Sequence, residues 1–428
     1  MRSFLTQRLP SGLDVIVAPG PHLSRAHVAL YVRVGSRYET RATHGLSHFL
    51  EHMLYRGTPR LPRAHDVNLA FESLGGYLHA ATYVDHGVFS VTVPSECIGE
   101  ATALFGDVIT RPTFADIEVE KRIVEEEILE DLDEDGREVD PDNLSRAQIY
   151  PGHPLGWTIT GDVASVRSFD EAALRAHHAR HYNVANMVLV FSGAIQEGTA
   201  LDAAARAFGD VASGEPALAT APDDTQRGPR FSFVENAGSQ TDLRVAFRAP
   251  SLASDRRAAM DMLMRVVDDG MATRLYHRLC DDQGLSYDVS AAYDGYADSG
   301  VLDFAVGCVH ERAGQITREI LAMMVELGAE GPTPAELEKA RRRSLWDMRA
   351  LTDAPEDLAA FLGLGWLQGD VETPDARVAR NVAVASSEIA SVAALVARPD
   401  RLNVLAVGLL DRADEDRLRS LVRAFGGA

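Results

Sequence analysis

Apolar positions alternate with polar ones in short runs of this chain and elsewhere recur every three or four residues, so strands and helices interleave. Runs at 13–17 and 27–34, separated by a Pro-Gly-Pro turn, predict two strands. A helical period follows over about 44–55 and closes at Gly57-Thr58-Pro59, and a second helix precedes Gly75-Gly76. Strands are predicted near 77–83 and 87–93, helices over 95–109, 116–132 and 142–150, then a strand at 187–191 and a helix at 201–208. The second half repeats this order. Strands at 231–234 and 243–247 precede helices at 255–267 and 273–282; strands at 287–293 and 301–306, several helices and a last strand at 402–407 follow. Residue identity between the halves is slight, so what repeats is the order of elements. The pattern predicts an α+β fold of two similar domains, each a mostly antiparallel sheet packed with helices.

Between the halves, residues 213–230 read SGEPALATAPDDTQRGPR, rich in Pro, Ala, Gly and Asp and without an apolar period. That is a linker composition. The expected organisation is one domain over 1–212, a linker over 213–230 and a second domain over 231–428. A chain of 428 residues fits two domains at roughly 100–200 residues each. The 63 acidic residues against 42 basic ones give a formal charge of −21, which repels phosphate backbones and anionic lipid; nucleic acid and membrane are excluded as primary partners. Three cysteines are too few and too scattered for a disulfide framework or a thiolate metal cluster. The first twenty residues lack an apolar stretch followed by a small-residue cleavage site. No run reaches the ~18–20 apolar residues of a membrane span, and a cytoplasmic protein is expected.

The chemistry concentrates in His44-Gly-Leu-Ser-His-Phe-Leu-Glu-His-Met-Leu-Tyr-Arg-Gly-Thr58. On a helix His48 and His52, four apart, share a face, with Glu51 beside them. Two imidazoles suit zinc, and a neighbouring carboxylate can take a proton from water held there. A catalytic zinc usually needs a third protein ligand. In the helix predicted over 116–132, Glu120, Ile123, Val124 and Glu127 form one stripe that mixes apolar residues with carboxylates. A carboxylate turned inward needs a cation or a donor. Glu127 can meet a zinc ion and Glu120 a histidine N–H, but spacing alone leaves Glu125 and Glu126 open as the ligand.

The inverted motif His48-x-x-Glu51-His52 is that of the inverzincins, and its surroundings resemble the pitrilysin and insulin-degrading-enzyme family of zinc peptidases. The resemblance runs over essentially the whole chain and is closest to the short members, such as mitochondrial processing peptidase subunits and bacterial homologues. Gly45 to Thr58 match the family's Gly-x-x-His-Phe-x-Glu-His-Met followed by Gly-Thr, and Glu120-Lys121 with Glu127 match its Glu-(Lys/Arg)-x-x-x-x-x-Glu helix. The resemblance implies one Zn2+ per chain held by His48, His52 and Glu127, with Glu120 supporting a ligand and Glu51 as catalytic base. Gly75-Gly76-Tyr77-Leu78-His79-Ala80-Ala81-Thr82 resembles the family's edge strand, to which a peptide substrate adds through main-chain hydrogen bonds. Gly76, Leu78, His79 and Ala80 are its expected substrate contacts; His79 stands where Asn is common.

Gly284-Leu-Ser-Tyr287 resembles the family's substrate clamp, which implies a catalytic role for Tyr287. The Arg that usually lies seven residues earlier is replaced by Cys280, which has neither the charge nor the fork of donors. This departure implies a second half-size subunit supplying an Arg–Tyr pair in a heterodimer, or else a homodimer. The expected function is a zinc-dependent endopeptidase cleaving peptides or unfolded segments in a closed chamber. The alternative is a non-catalytic structural subunit that retains the fold.

Overall fold

The computed structural model describes residues 4–426. The first sheet holds β1 (Leu5–Arg8), β2 (Asp14–Pro19), β3 (Arg25–Val32), β4 (Leu78–Thr82), β5 (Gly87–Pro94) and β6 (Met187–Gly193), in the order β1-β2-β6-β3-β5-β4. The second holds β7 (Arg230–Glu235), β8 (Thr241–Ala249), β9 (Asp288–Gly295), β10 (Gly300–Cys308) and β11 (Leu402–Gly408), in the order β7-β11-β8-β10-β9. Each sheet has one parallel pair, β2 with β6 and β7 with β11, and is otherwise antiparallel. The expected α+β class is the observed one.

Burial explains the strand order. In β3, Val28 and Leu30 face one side, Ala29 and Tyr31 the other, and all four are buried. A strand apolar on both faces belongs in the middle of a covered sheet. No residue of β4, Leu-His-Ala-Ala-Thr, is fully buried, and it pairs with β5 alone. It forms the edge.

Four strands or α-helices lie outside the sequence expectation: β1 and the helices Val163–Ser168, Glu171–His181 and Arg412–Phe425. The polar strand β1 is fastened by a bidentate pair from Arg8 to Asp14 at 2.7 and 2.9 Å. The second helix buries Leu174, His177 and His181, so its inner face is mostly histidine and shows no apolar period. Its start is set by Asp170, whose carboxylate accepts the Ala173 N–H at 2.8 Å. The helix expected over 273–282 is a short α-helical turn, Arg274–Tyr276, running into a π-helix, His277–Asp281.

Two compact units form, and each takes a segment from the other half of the sequence. The first comprises the chain up to Glu130, Trp157–Thr220 and Met348–Asp375; the second comprises Asp131–Gly156, Ala221–Asp347 and the chain from Ala376 onward. The passage between Thr220 and Ala221 falls in a stretch, 211–227, without regular structure. In the first unit the helix Pro355–Gln368 lies on the sheet, with Ala359 and Leu362 fully buried against Ile16, Ala29, Tyr31, Val188 and Val190. The Trp366 indole N–H donates to Asp14 at 3.0 Å and Ser192 Oγ to the Pro355 carbonyl at 2.6 Å. In the second unit the helix Pro141–Ile149 sits on β8 and β11, tied by Gln148 Nε2 to the Val404 carbonyl at 3.1 Å and by Asp142 to Arg244 at 2.7 Å. Among the described residues no single helix is long and apolar enough to cross a membrane.

Candidate metal centre

The motif helix, Leu46–Leu54, buries seven of its nine residues, His48 included. Its N-terminus is held in two ways. Gly45 adopts φ +86°, and a Cβ there would come within 2.5 Å of the Thr160 carbonyl oxygen, so glycine is required. Glu39, 5% exposed, accepts the Gly45 and Ser47 N–H groups at 2.8 Å each, satisfying donors that a helix start leaves unpaired. Burial pushes the Glu39 carboxyl up to about 7, although these hydrogen bonds oppose the shift. Ser47 Oγ meets His177 Nε2 at 3.0 Å and accepts the Gly35 N–H at 3.2 Å, anchoring the same turn.

His48 and His52 present Nε2 atoms 3.3 Å apart. The acidic helix, Ile117–Glu130, brings Glu127 to both: Oε1 lies 3.4 Å from His48 Nε2 and Oε2 lies 3.7 Å from His52 Nε2. A tetrahedral zinc with bonds of about 2.0–2.1 Å separates neighbouring donor atoms by about 3.3 Å, so these spacings fit one ion. The charges fit as well. Glu51, Glu120 and Glu127 against Arg56 leave two negative charges around two imidazoles, which one divalent cation cancels. Among the described residues this is the one trio of such side chains whose ligand atoms all lie within 4.8 Å of one another.

The supporting contacts set the ring orientations. His52 Nδ1 donates to Glu120 Oε1 at 2.8 Å, which leaves its Nε2 lone pair pointing at Glu127 and His48. Arg56 donates to the other Glu120 oxygen. Burial opposes a charge on His52, but the Glu120 hydrogen bond and the nearby carboxylates outweigh it and hold the ring above its ordinary value. Burial also penalises ionised Glu120, yet His52 and Arg56 keep it below the usual carboxylate range. His48 is pushed down to about 3 by burial and by His52, so its imidazole is neutral. Its Nδ1 is buried without a hydrogen-bond partner. The polar contacts of that ring are therefore those of Nε2, with His52 and Glu127.

Glu51 accepts a hydrogen bond from Thr82 Oγ1 at 2.7 Å on Oε2. Burial raises its carboxyl, with Thr82 partly offsetting the rise. Thr82 ends the edge strand and was not singled out in the sequence, although it closes the Gly-Gly-x-x-x-x-x-Thr run quoted there. Arg56 and Glu39 were likewise missed; Arg56 lies just past the end of the motif helix, and Glu39 holds its start.

Glu127, rather than Glu125 or Glu126, faces the imidazoles. Glu125 is engaged with Arg167 at 2.8 and 3.0 Å, and Glu126 is exposed. The expected stripe is narrower than drawn, because Ile123 is 46% exposed while Glu120 and Val124 are buried. The Leu78–Thr82 strand is an edge, as its sequence suggested. His79 pairs with Ser90, which pairs with Ala29 on the face covered by Pro355–Gln368; Thr82, on the opposite parity, meets Glu51. His79 therefore lines a groove of about 390 Å³ with Arg25, His27 and Tyr77, turned away from Glu51. Gly76 is packed so closely that a Cβ would lie 2.8 Å from Val93 Cγ1. In the second unit Tyr287 precedes β9 and is 80% exposed. Cys280 lies on the π-helix, and Arg278 is committed to Glu319 and Glu326 at 2.7 Å each.

Residues 15–162 match the family described as insulinase (peptidase family M16), and residues 168–344 match the peptidase M16 inactive domain. A protein of Mycobacterium bovis described as an uncharacterized zinc protease is 30% identical over 333 residues, covering 77% of this chain and 75% of that protein. Another, from Bacillus subtilis, is 28% identical over 339 residues, covering 78% and 80%. A solved protease structure from Helicobacter pylori superposes with a TM-score of 0.87 at 19% identity, over 96% of this chain and 100% of that one. A structure from Pseudomonas fluorescens described as a peptidase M16 inactive domain gives 0.86 at 20% identity, over 96% and 100%. The two structures share the fold. The chain belongs to the insulinase family of M16 peptidases.

Proposed function

We propose that the chain is a zinc-dependent endopeptidase acting on peptides or unfolded segments that add as a strand to the β4 edge. The observation that carries this reading is the convergence of His48 Nε2, His52 Nε2 and a Glu127 carboxylate oxygen at the separations of a tetrahedral site. These three residues would hold zinc, and Glu120 would keep the His52 lone pair aimed at it. Zinc when bound supplies an acidified water and polarises the scissile carbonyl. Glu51, fixed through Oε2 by Thr82, takes the water's proton on Oε1 and delivers it to the leaving amine. The open edge of β4 offers unpaired main-chain groups, so substrate capture depends on backbone more than on side chains.

The exposed Tyr287 is the hydroxyl donor this reading assigns to substrate. Cys280 stands in the clamp position without a guanidinium, and the neighbouring Arg278 is bound to two glutamates. The reading therefore includes a partner, a second half-size subunit or another copy of this chain, that provides one. That same gap favours the second reading, a structural subunit without activity of its own.

The deciding experiment measures zinc content and peptide cleavage for the purified chain, alone and mixed with its candidate partner, beside Glu51→Gln. One zinc per chain, with cleavage that falls ~10²–10⁴-fold in the variant at unchanged zinc content, supports the proposal. A chain that takes up no zinc, or Glu51→Gln with full turnover, refutes it. Zinc retained without cleavage in any pairing favours the structural subunit.

A further inference from the structure

The second unit contains a cavity of about 300 Å³ lined by Tyr150, His153, Pro222, Arg230 and Arg248, among others. That size is at the lower end of small-ligand pockets, roughly 300–1,000 Å³. Arg248, on β8, is 6% exposed. Its guanidinium lies 4.7 Å from the Tyr150 ring centroid, and Nη1 has long contacts to the carbonyls of Ile149 at 3.5 Å and Asp223 at 3.3 Å. Arg230, at the start of β7, donates through Nη1 to the carbonyls of Gln148 at 2.6 Å and Ile149 at 3.5 Å.

What these two guanidinium groups lack is a carboxylate at bonding distance. Among the described residues Arg230 has none within 4 Å, and Arg248 has only the exposed Asp224, at 3.9 Å. Asp223, beside them, instead accepts from Thr225 at 2.9 Å. Several other partly buried arginines of this unit are matched closely, Arg244 to Asp142 and Asp303 at 2.7 and 2.8 Å, Arg265 to Asp347 at 2.6 Å and Arg274 to Glu336 at 2.6 Å, whereas Arg341 and Arg401 meet main-chain carbonyls. In a chain with 21 more acidic than basic side chains, Arg230 and Arg248 line one cavity with no carboxylate closer than 3.9 Å among the described residues. Buried charge of one sign is costly unless a counter-charge arrives. Burial and the nearby Arg248 hold the Arg230 guanidinium below its usual value, the mark of cations crowded together.

We infer that this cavity binds a small oxyanion, a phosphate or a carboxylate group, between the guanidinium forks of Arg230 and Arg248 and against the ring of Tyr150. Planar forks match both oxyanions through paired N–H···O bonds. The strongly negative field of the whole chain repels anions in general, so binding here is selective. The inference is independent of the peptidase reading.

The test titrates the full-length protein with sodium phosphate and, separately, sodium acetate at constant ionic strength, read by calorimetry and by the unfolding temperature. Because both anions also ligate zinc, each series is repeated after chelation. A saturable heat and a rising unfolding temperature in either series, persisting after chelation, support the site; phosphate alone identifies a phosphoryl ligand and acetate alone a carboxylate. Arg230→Gln, at the half-buried position, is expected to weaken binding by about tenfold or more, the size of a charge-assisted contact. Arg342→Gln, an exposed residue of the helix Pro334–Ala350, removes the same charge elsewhere and is expected to bind as wild type. No saturable response to either anion, a response abolished by chelation, or equal binding by Arg230→Gln overturns the inference.

Discussion

Glu51 stands on the motif helix, but Thr82, thirty-one residues away on the edge strand, fixes its orientation at 2.7 Å. A hydrogen bond to a charged group contributes about 1.5–3 kcal/mol. Thr82→Val, which keeps the shape and removes the hydroxyl, is therefore expected to lower kcat by about tenfold or more while zinc content stays at one per chain. Steady-state kinetics with metal analysis checks this. At the same scale, Glu120→Gln weakens the pull on the His52 N–H and leaves Arg56 without its carboxylate charge. Supporting partners of this kind typically change metal affinity ~10–100-fold, so zinc competition against a chelator should register that loss. His48, Glu51 and His52 were legible because they fall within five residues, where helix geometry alone sets their faces. Thr82 was not, since nothing local in its strand specifies which helix it meets.

The motif helix is started by a buried acid, and this makes its stability depend on pH. Glu39 titrates at about 7 in the folded chain against an ordinary value of 4.5. A carboxyl raised on folding favours the fold while it is protonated, so its contribution is complete below about 4.5 and is lost as pH rises through about 7. The difference corresponds to something on the order of 3 kcal/mol. Glu39→Gln cannot ionise, so the stability of wild type relative to this variant is expected to fall between pH 4.5 and 7.5. Denaturant unfolding at several pH values measures it, and a constant difference would contradict the assignment. In the edge strand's lead-in, Gly76→Ala would force a methyl against Val93 and the Thr92 carbonyl. Crowding of this kind costs about 1–3 kcal/mol, and the midpoint of urea unfolding should drop accordingly. Most strands and helices were readable from periods of two and 3.6 residues. The helix Glu171–His181 escaped because histidines, not aliphatic residues, make up much of its buried face.

At the scale of the molecule, neither half of the sequence holds its own unit complete. The first sheet is covered by Pro355–Gln368 and the second receives Pro141–Ile149. A fragment ending at Thr220 would leave Ile16, Tyr31 and Val190 without the helix that buries them. We expect it to aggregate or to unfold without a cooperative transition, whereas the intact chain unfolds cooperatively; circular dichroism melts and light scattering distinguish the two. A soluble, cooperatively folded 1–220 fragment would show that the exchanged helix is dispensable.

The sequence by itself determined the repeated element order, the linker composition and the His48–Glu51–His52 face, because each is a local pattern written in consecutive residues. Tertiary structure decided the rest. It chose Glu127 over Glu125 and Glu126, tied His52 to Glu120 across 68 positions, exchanged one helix between the units in each direction, and gathered Arg230 and Arg248 around a cavity. Those outcomes depend on which distant surfaces meet. A period along the chain fixes the face a residue shows, while the partner on that face is set by packing between segments far apart in sequence.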